Sequence, residues 1–289
     1  VDIGLVAGAP VLCVDDVDEK PAHIGCWSVD VNTGALTPSA VTSLAGHVRR
    51  VMLDDNGCVD GFCVGKPGAD DNRGAMIATS TDAAHVVVQP RSGTGHELSV
   101  FDARTKRVVT TIDLNDPNAP PETNVANEVW DLIYVGRTIY VQDQQAGPTA
   151  GVLSFRDDGT RLGTVGGTNP IAVFGGGLSV LDDGHAGVST VGLERLVIVA
   201  AKDGSTTTVK RTVKRAPCST EAIELLDTPA SGTCARHLER EYLPYVDVKL
   251  VALGADYLAA LTGKHAGEIV VFNAHLAKKR RLTLKRCKT

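Results

Sequence analysis

Short apolar runs, broken by glycine, proline and acidic turns, recur along the whole chain at strand spacing. Residues 97–114, ELSVFDARTKRVVTTIDL, show the pattern most clearly: Leu98, Val100, Val108 and Ile112 mark apolar strand positions around a polar turn at Ala103 to Lys106. The segment reads as a hairpin. Similar hairpins are CWSVDVNTGALTPSAVTSL from Cys26, GVLSFRDDGTRLGTVGG from Gly151, RLVIVAAKDGSTTTVKRTV from Arg195 and GEIVVFNAHLAKKRRLTLK from Gly267. Two further apolar runs precede several of these: MIATSTDA and HVVVQP, DLIYV and TIYVQDQ, DVKLVALG and YLAALTG. β-Branched residues dominate the runs, and glycine and proline interrupt them too often for long helices.

Four strands repeated at roughly 40 residues predict an all-β protein, a β-propeller of four-stranded antiparallel blades. A β-sandwich also strings short strands together, but the repetition of a four-strand unit favours the propeller. Residues 1–44, 75–114, 126–167, 169–213 and 245–286 read as blades, and the pieces 45–74 and 214–244 are short for the period. Seven blades are the expected number, and five or six also fit. The domain expected is a single one, 1–289, in which 214–244 is either a short blade or an insertion bracketed by Cys218 and Cys234. There Ser219 is placed to cap a short helix in STEAIELLDT.

Within the second blade, VFDARTKRVVTTIDL resembles the bacterial YVTN-type propeller repeat, a relative of WD40-like repeats. The other copies match by pattern rather than by letters, and the WD dipeptide and Gly-His signature of WD40 blades are missing as a set. The resemblance implies the fold class and leaves function open.

Cysteine placement adds the compartment. Six of the seven cysteines fall in close pairs, Cys13 with Cys26, Cys58 with Cys63 and Cys218 with Cys234, leaving Cys287 over. In CVDGFC, Asp60-Gly61 is a preferred type I′ turn, so Val59 faces Phe62 and Cys58 faces Cys63 as the closer, non-hydrogen-bonded pair. That separation suits a cross-strand disulfide. The spacings are not those of a zinc site. Disulfides predict an oxidising location: periplasm, cell envelope or extracellular space. The chain begins at Val1 without Met, as it would after removal of a signal peptide. No segment approaches the ~18 uninterrupted apolar residues of a membrane-spanning helix, so no transmembrane segment is expected.

Candidate chemistry is sparse. Acidic clusters stand at Asp15, Asp16 and Asp18, at Asp54, Asp55 and Asn56, at Asp70, Asp71 and Asn72, and at Asp182 and Asp183. None completes a calcium loop, and Asp, Asn and Gly are ordinary turn residues, so calcium is kept only as a possible ligand. Eight histidines, at 23, 47, 85, 96, 185, 237, 265 and 275, show no metal-binding spacing, although residues converging on a propeller axis leave no linear motif. There is no nucleophile elbow, P-loop or dinucleotide fingerprint. Gly93, Gly95 and Gly175 to Gly177 are assigned to hairpin turns. Catalytic residues remain unknown, and no cofactor or metal ligand is expected.

Aromatics make up only 4% of the chain, which argues against the aromatic platforms of lectins, and Trp27 and Trp130 are expected in core packing. The terminal KKRRLTLKRCK holds seven basic residues in a chain of net charge −5. Its alternation of Leu282 and Leu284 with Arg281 and Thr283 fits an outer strand that charge protects from pairing. The acidic bulk disfavours nucleic acid.

The functional expectation is therefore a noncatalytic exported interaction module, binding a protein or cell-surface component through its loops. The alternative is an enzyme with a central-channel site, such as a calcium-assisted hydrolase or lactonase. A redox or quinone-binding propeller has less support, since C-x-x-C-H is absent.

Overall fold

The computed structural model describes residues 1–16, 23–65, 74–90, 96–115, 118, 129–143, 151–165, 177–212, 248–261 and 268–284. Five four-stranded antiparallel blades appear among them. Blade 1 holds β1 (Asp2–Val6), β2 (Ala9–Asp16), β3 (His23–Val29) and β4 (Leu36–Pro38). Three short strands follow, β5 (Val48–Met52), β6 (Cys58–Val59) and β7 (Phe62–Cys63). Blade 2 comprises β8 (Gly74–Thr79), β9 (His85–Pro90), β10 (Glu97–Asp102) and β11 (Val108–Asp113). Blade 3 comprises β12 (Val129–Val135), β13 (Thr138–Asp143), β14 (Val152–Arg156) and β15 (Arg161–Thr164). Blade 4 comprises β16 (Leu178–Asp182), β17 (His185–Ser189), β18 (Arg195–Ala200) and β19 (Thr206–Lys210). Blade 5 comprises β20 (Lys249–Leu253), β21 (Asp256–Ala260), β22 (Glu268–Phe272) and β23 (Lys278–Thr283). Strands pair in chain order within each blade, and the first strand of blades 1, 3, 4 and 5 lies innermost, while in blade 2 β5 adds a fifth strand inside β8; β20 packs between β16 and β1, and β12 between β16 and the β8–β5 edge.

Five is the lowest count the repeat allowed. The first short piece does not build a blade: β5 joins blade 2 inside β8, and β6 and β7 form a separate hairpin. The piece 214–244, with Cys218 and Cys234, lies outside the described residues, as does Cys287.

Both faces of a blade are apolar, so each must be covered. Ile133, Tyr140, Val152 and Val165 of blade 3 meet Leu178, Val188 and Val199 of blade 4. Similar seams join blade 2 to 3, blade 4 to 5 and blade 5 to 1. Blades 1 and 2 share no such seam. The free face of blade 1 is covered by Val41 and Leu44, that of blade 2 by Leu53, Val59 and Phe62, so the segment 41–64 is a wedge between them. Each fully buried aliphatic or aromatic side chain contributes roughly 1.5–3 kcal/mol, and the seams hold most of them.

Two positions depart from the expected pattern. Val108 is 51% exposed, as is its neighbour Val109 at 53%, because β11 is the outermost strand of blade 2 and buries only Ile112. Trp130 is 44% exposed rather than core-packed, since a register shift between Val129 and Asp131 leaves it the unpaired residue of a bulge. Trp27 is half-buried and folds its ring over Gly25. The basic outer strand behaves as expected: Lys279 pairs with Asp256, Arg281 with Glu268, and Leu282 and Leu284 pack inward.

The two ends of the strands differ. At one end the chain reverses through 7–8, 30–35, 80–84, 103–107, 136–137, 157–160, 183–184, 201–205, 254–255 and 273–277. At the other it passes through 17–22, 53–73, 91–96, 114–128, 144–151, 165–177, 190–194, 211–248 and 261–267, and the segment 39–47 crosses from this end to the turn end to enter β5. The first end is a face of tight turns, and the second carries every long connection. On the turn face the Thr81 hydroxyl donates to the Asp183 carbonyl at 2.9 Å and accepts from the Gly136 N–H at 2.8 Å, tying blades 2, 3 and 4 together.

Gly46 is the tightest point of the wedge. Its φ is +80°, and a Cβ there would stand 2.8 Å from the Thr81 methyl and 2.9 Å from a Val180 methyl. Gly8 has nearly the same φ, +78°, but nothing within 4 Å. Gly8→Ala is expected to cost about 1 kcal/mol from backbone strain alone, and Gly46→Ala about 3 kcal/mol once overpacking is added. Urea unfolding midpoints of the two variants check this, and equal losses would contradict the wedge packing.

Candidate functional site

Four ionisable side chains meet at the propeller axis. Three of the inner strands are apolar runs carrying an ionisable residue at or near their start: Asp2 in β1, Asp131 in β12 and Lys249 in β20. The inner strands run in the same direction, which brings these starts together at the loop end of the channel, and the wedge adds His47. Lys249 Nζ forms a short ion pair with Asp131 Oδ2, donates to the Leu178 carbonyl at 3.0 Å and stands 3.9 Å from Asp2 Oδ1. His47 Nδ1 lies 3.4 Å from Asp2 Oδ1. His47 is 4% exposed, and its Nε2 has no hydrogen-bond partner among the described residues, packing against Gly4 where a Cβ would come within 3.3 Å.

Burial on its own would raise the pKa of the Asp2 carboxyl. The hydrogen bond with His47 and the charge of Lys249 outweigh that desolvation and hold the group well below the usual carboxylate range. The cluster is thus two carboxylates, an ammonium and an imidazole spent largely on one another.

A second polar network lies on the turn face between blades 2 and 3. Arg137 grips Asp157 through Nε and Nη2, the shortest contact being 2.7 Å, and the Tyr134 hydroxyl donates to the same carboxylate at 3.2 Å. His85 Nδ1 approaches it to 3.6 Å from the preceding blade. Burial, reinforced by the negative charge of Asp157, raises the Tyr134 pKa, so its phenol remains a neutral donor. Asp157 is 2% exposed and is therefore a structural anchor with all its charge compensated.

The residues singled out in the sequence fall elsewhere. Cys13 and Cys26 face each other across β2 and β3, Cα atoms 4.2 Å apart and sulfurs at bonding distance. Cys58 and Cys63 do the same across the β6–β7 hairpin at 4.0 Å, with Val59 opposite Phe62 and positive φ at both Asp60 and Gly61, as the turn chemistry requires. The hairpin docks on blade 2 through Phe62 against Phe101 and Arg49 on Asp60. Asp54 Oδ1 accepts from the N–H groups of Asn56 and Cys58 at 2.9 Å, the turn role expected of it. Asp182 accepts from the Gly184 N–H and pairs with His185 at 2.9 Å. Among the described residues no three His, Cys, Asp or Glu side chains are grouped as metal ligands. The side chains of Asp15, Asp16 and His23 lie outside the description, as do Asp18, Asp70, Asp71, Asn72, His237, His265, Gly93, Gly95, Gly175 and Gly176.

Gly177 corrects the turn assignment. It exchanges hydrogen bonds with Ser189 beside β16, and a Cβ there would come within 2.5 Å of the Val248 carbonyl, so glycine is needed for the close approach of blade 5. The axial cluster was missed because its members lie far apart in sequence. The available signal was an ionisable residue embedded at the start of each of three apolar runs, DIGLV, VWDLIYV and KLVAL.

No protein-family model and no curated protein sequence matches the chain. Among solved structures it is similar to that of U3-55K, with 12% identity, TM-score 0.42, and coverage of 70% of this chain and 50% of that one. The RRP9 WD40 repeats match with 12% identity and TM-score 0.42, covering 70% and 49%. The β-propeller domain of Cps50 (Swd1) from Myceliophteria thermophila matches with 11% identity and TM-score 0.41, covering 83% and 61%. The chain thus spans only about half to three-fifths of these matched chains, and the propeller assignment rests on its own sheet order.

Replacing Lys249 by Met leaves two partly buried carboxylates without their cation and is expected to cost about 2 kcal/mol in chemical unfolding. For Asp2, a folded pKa below the unfolded one means its contribution is complete above about pH 5 and is lost as pH falls below about 4 toward the folded value. The stability difference between wild type and Asp2→Asn should therefore be flat above pH 5 and shrink below pH 4; a difference growing on acidification would contradict the assignment.

Proposed function

We propose that this propeller is a noncatalytic interaction module, exported to the periplasm, envelope or cell exterior, that recognises a protein or cell-surface component through its loop face. The observation that carries the reading is the segregation of connections. Every long connection, including 114–128, 165–177 and 211–248, leaves from one end of the blades, while the other end is tight turns. Loops on a rigid scaffold are where a chain can vary shape and chemistry without disturbing its core.

Two further features support it. The axial ionisable groups are paired with one another, as suits groups holding blades together. The two cysteine pairs at bonding distance suit an oxidising compartment, where disulfides would fix the blade 1 hairpin and the wedge. The fold and the repeat are compatible with the YVTN-type resemblance, which would make this a bacterial envelope protein. The competing reading, a calcium-assisted hydrolase or lactonase working at the channel, draws on Asp2, Asp131 and His47 converging there.

The test uses the purified chain as bait in a native envelope extract, with captured proteins quantified by mass spectrometry. Two variants accompany it: one with 144–150 and 262–267 replaced by Gly-Ser, and one with Arg104 and Lys202 on the turn face changed to Glu. The expected result is a partner recovered near one-to-one, lost by the loop variant and kept by the turn-face variant. Loss by the turn-face variant alone, or stoichiometric calcium whose removal abolishes hydrolase activity of the chain, would overturn the proposal.

A further inference from the structure

A cavity of about 400 Å³ opens between blades 3 and 4, lined by Thr138, Tyr140, Ser154, Arg156, Asp203 and Thr206 among others. Its size lies within the ~300–1,000 Å³ of small-molecule sites. A second hollow of about 480 Å³, lined by Arg137, Arg156, Asp158 and Lys202, adjoins it on the turn face, since Arg156 and Ala201 border both.

The chemistry of these walls is specific. Tyr140 is 1% exposed, yet its hydroxyl has no hydrogen-bond partner among the described residues. Tyr140 lines the cavity, where a hydroxyl can both donate and accept. Ser154 Oγ donates to the Gly163 carbonyl at 3.0 Å and retains its acceptor capacity. Arg156 is held rigidly at the junction, donating to the Ala201 carbonyl at 2.8 Å, the Lys202 carbonyl at 2.6 Å and Thr138 Oγ1 at 3.0 Å. Arg137 uses Nε and Nη2 on Asp157 and keeps Nη1.

Charge decides the ligand class. The walls carry Arg137, Arg156 and Lys202 with Asp158 and Asp203, and Asp157, buried behind Arg137 and paired with it, neutralises the remaining charge, so the walls present donors and acceptors with no net charge to attract a simple anion. Asp158 and Asp203 each accept from the N–H and the side-chain hydroxyl of a turn residue, Thr160 and Ser205 respectively, and as carboxylates carry further lone pairs. Hydroxyl groups, which both donate and accept, match such walls best. We infer that the cleft between blades 3 and 4 is a binding site for a small uncharged polyol, a mono- or disaccharide. The cleft runs between the blades from Val165 to Arg156 and opens with the adjoining hollow on the turn face, and the inference does not draw on the reading above.

Titration calorimetry of the full chain with glucose, galactose, mannose, maltose, glycerol and inorganic phosphate tests it, alongside Tyr140→Phe and Lys202→Met. At least one saccharide should bind with a dissociation constant of about 1 mM, the range open to a few hydrogen bonds. Tyr140→Phe should weaken that binding about tenfold while leaving Tm unchanged, because the lost hydroxyl has no partner among the described residues. Lys202→Met, on the exposed rim, should weaken it with folding intact. No saturable binding of any saccharide, a Tm lowered by Tyr140→Phe, or phosphate competing as well as sugar would each overturn the inference. Saccharide binding that survives replacement of 144–150 and 262–267 separates this site from the loop face.

Discussion

Covering both apolar faces of every blade is the constraint on which the rest of the structure depends. A lone four-stranded sheet of this composition would expose two faces of Val, Leu and Ile to water, so blades must stack, and stacking around an axis closes only if the last face finds the first. Here four seams are blade on blade. The fifth is not: the wedge from Val41 to Val64 fills it, burying Leu44 against blade 1 and Phe62 against blade 2. Gly46 passes where no side chain fits, and His47 follows, bridging to Ile133 of β12 and to Asp2 of β1.

Closure brings the starts of the inner strands together, and that is why charged residues meet at the axis. Backbone carbonyls and side chains at strand starts cannot all be hydrated in so narrow a space. Lys249 pairs with Asp131 and approaches Asp2, Asp2 also meets His47 Nδ1, and the Lys249 ammonium takes up the Leu178 carbonyl. The same geometry separates a turn face, fixed by Thr81, Arg137, Asp157 and Arg156, from a loop face whose connections can change independently. Rigid packing on one side and long connections on the other is the arrangement expected of a recognition scaffold.

Much of the blade architecture was legible in the sequence, because hairpins announce themselves through period-two alternation and turn residues. The Asp60-Gly61 turn and the facing of Cys58 by Cys63 follow from backbone geometry at neighbouring positions. Legibility fails where non-local packing decides. Val108 is exposed because β11 is an outermost strand, a position that alternation does not reveal, and Trp130 is the unpaired residue of a bulge inside an apolar run. Residues 45–65 look like a truncated blade by length but serve as a wedge. Asp2, His47, Asp131 and Lys249 come from four distant places, and only closure of the ring brings them together.

The closure itself is open to direct test by hydrogen–deuterium exchange of wild type and His47→Ala, read strand by strand. If the wedge closes the ring through His47, amides of β1 and β5 should exchange at least about tenfold faster in the variant, while β17 and β18, far from the closure, keep their protection. Unchanged protection in β1 and β5, or a uniform loss in all five blades, would contradict the account.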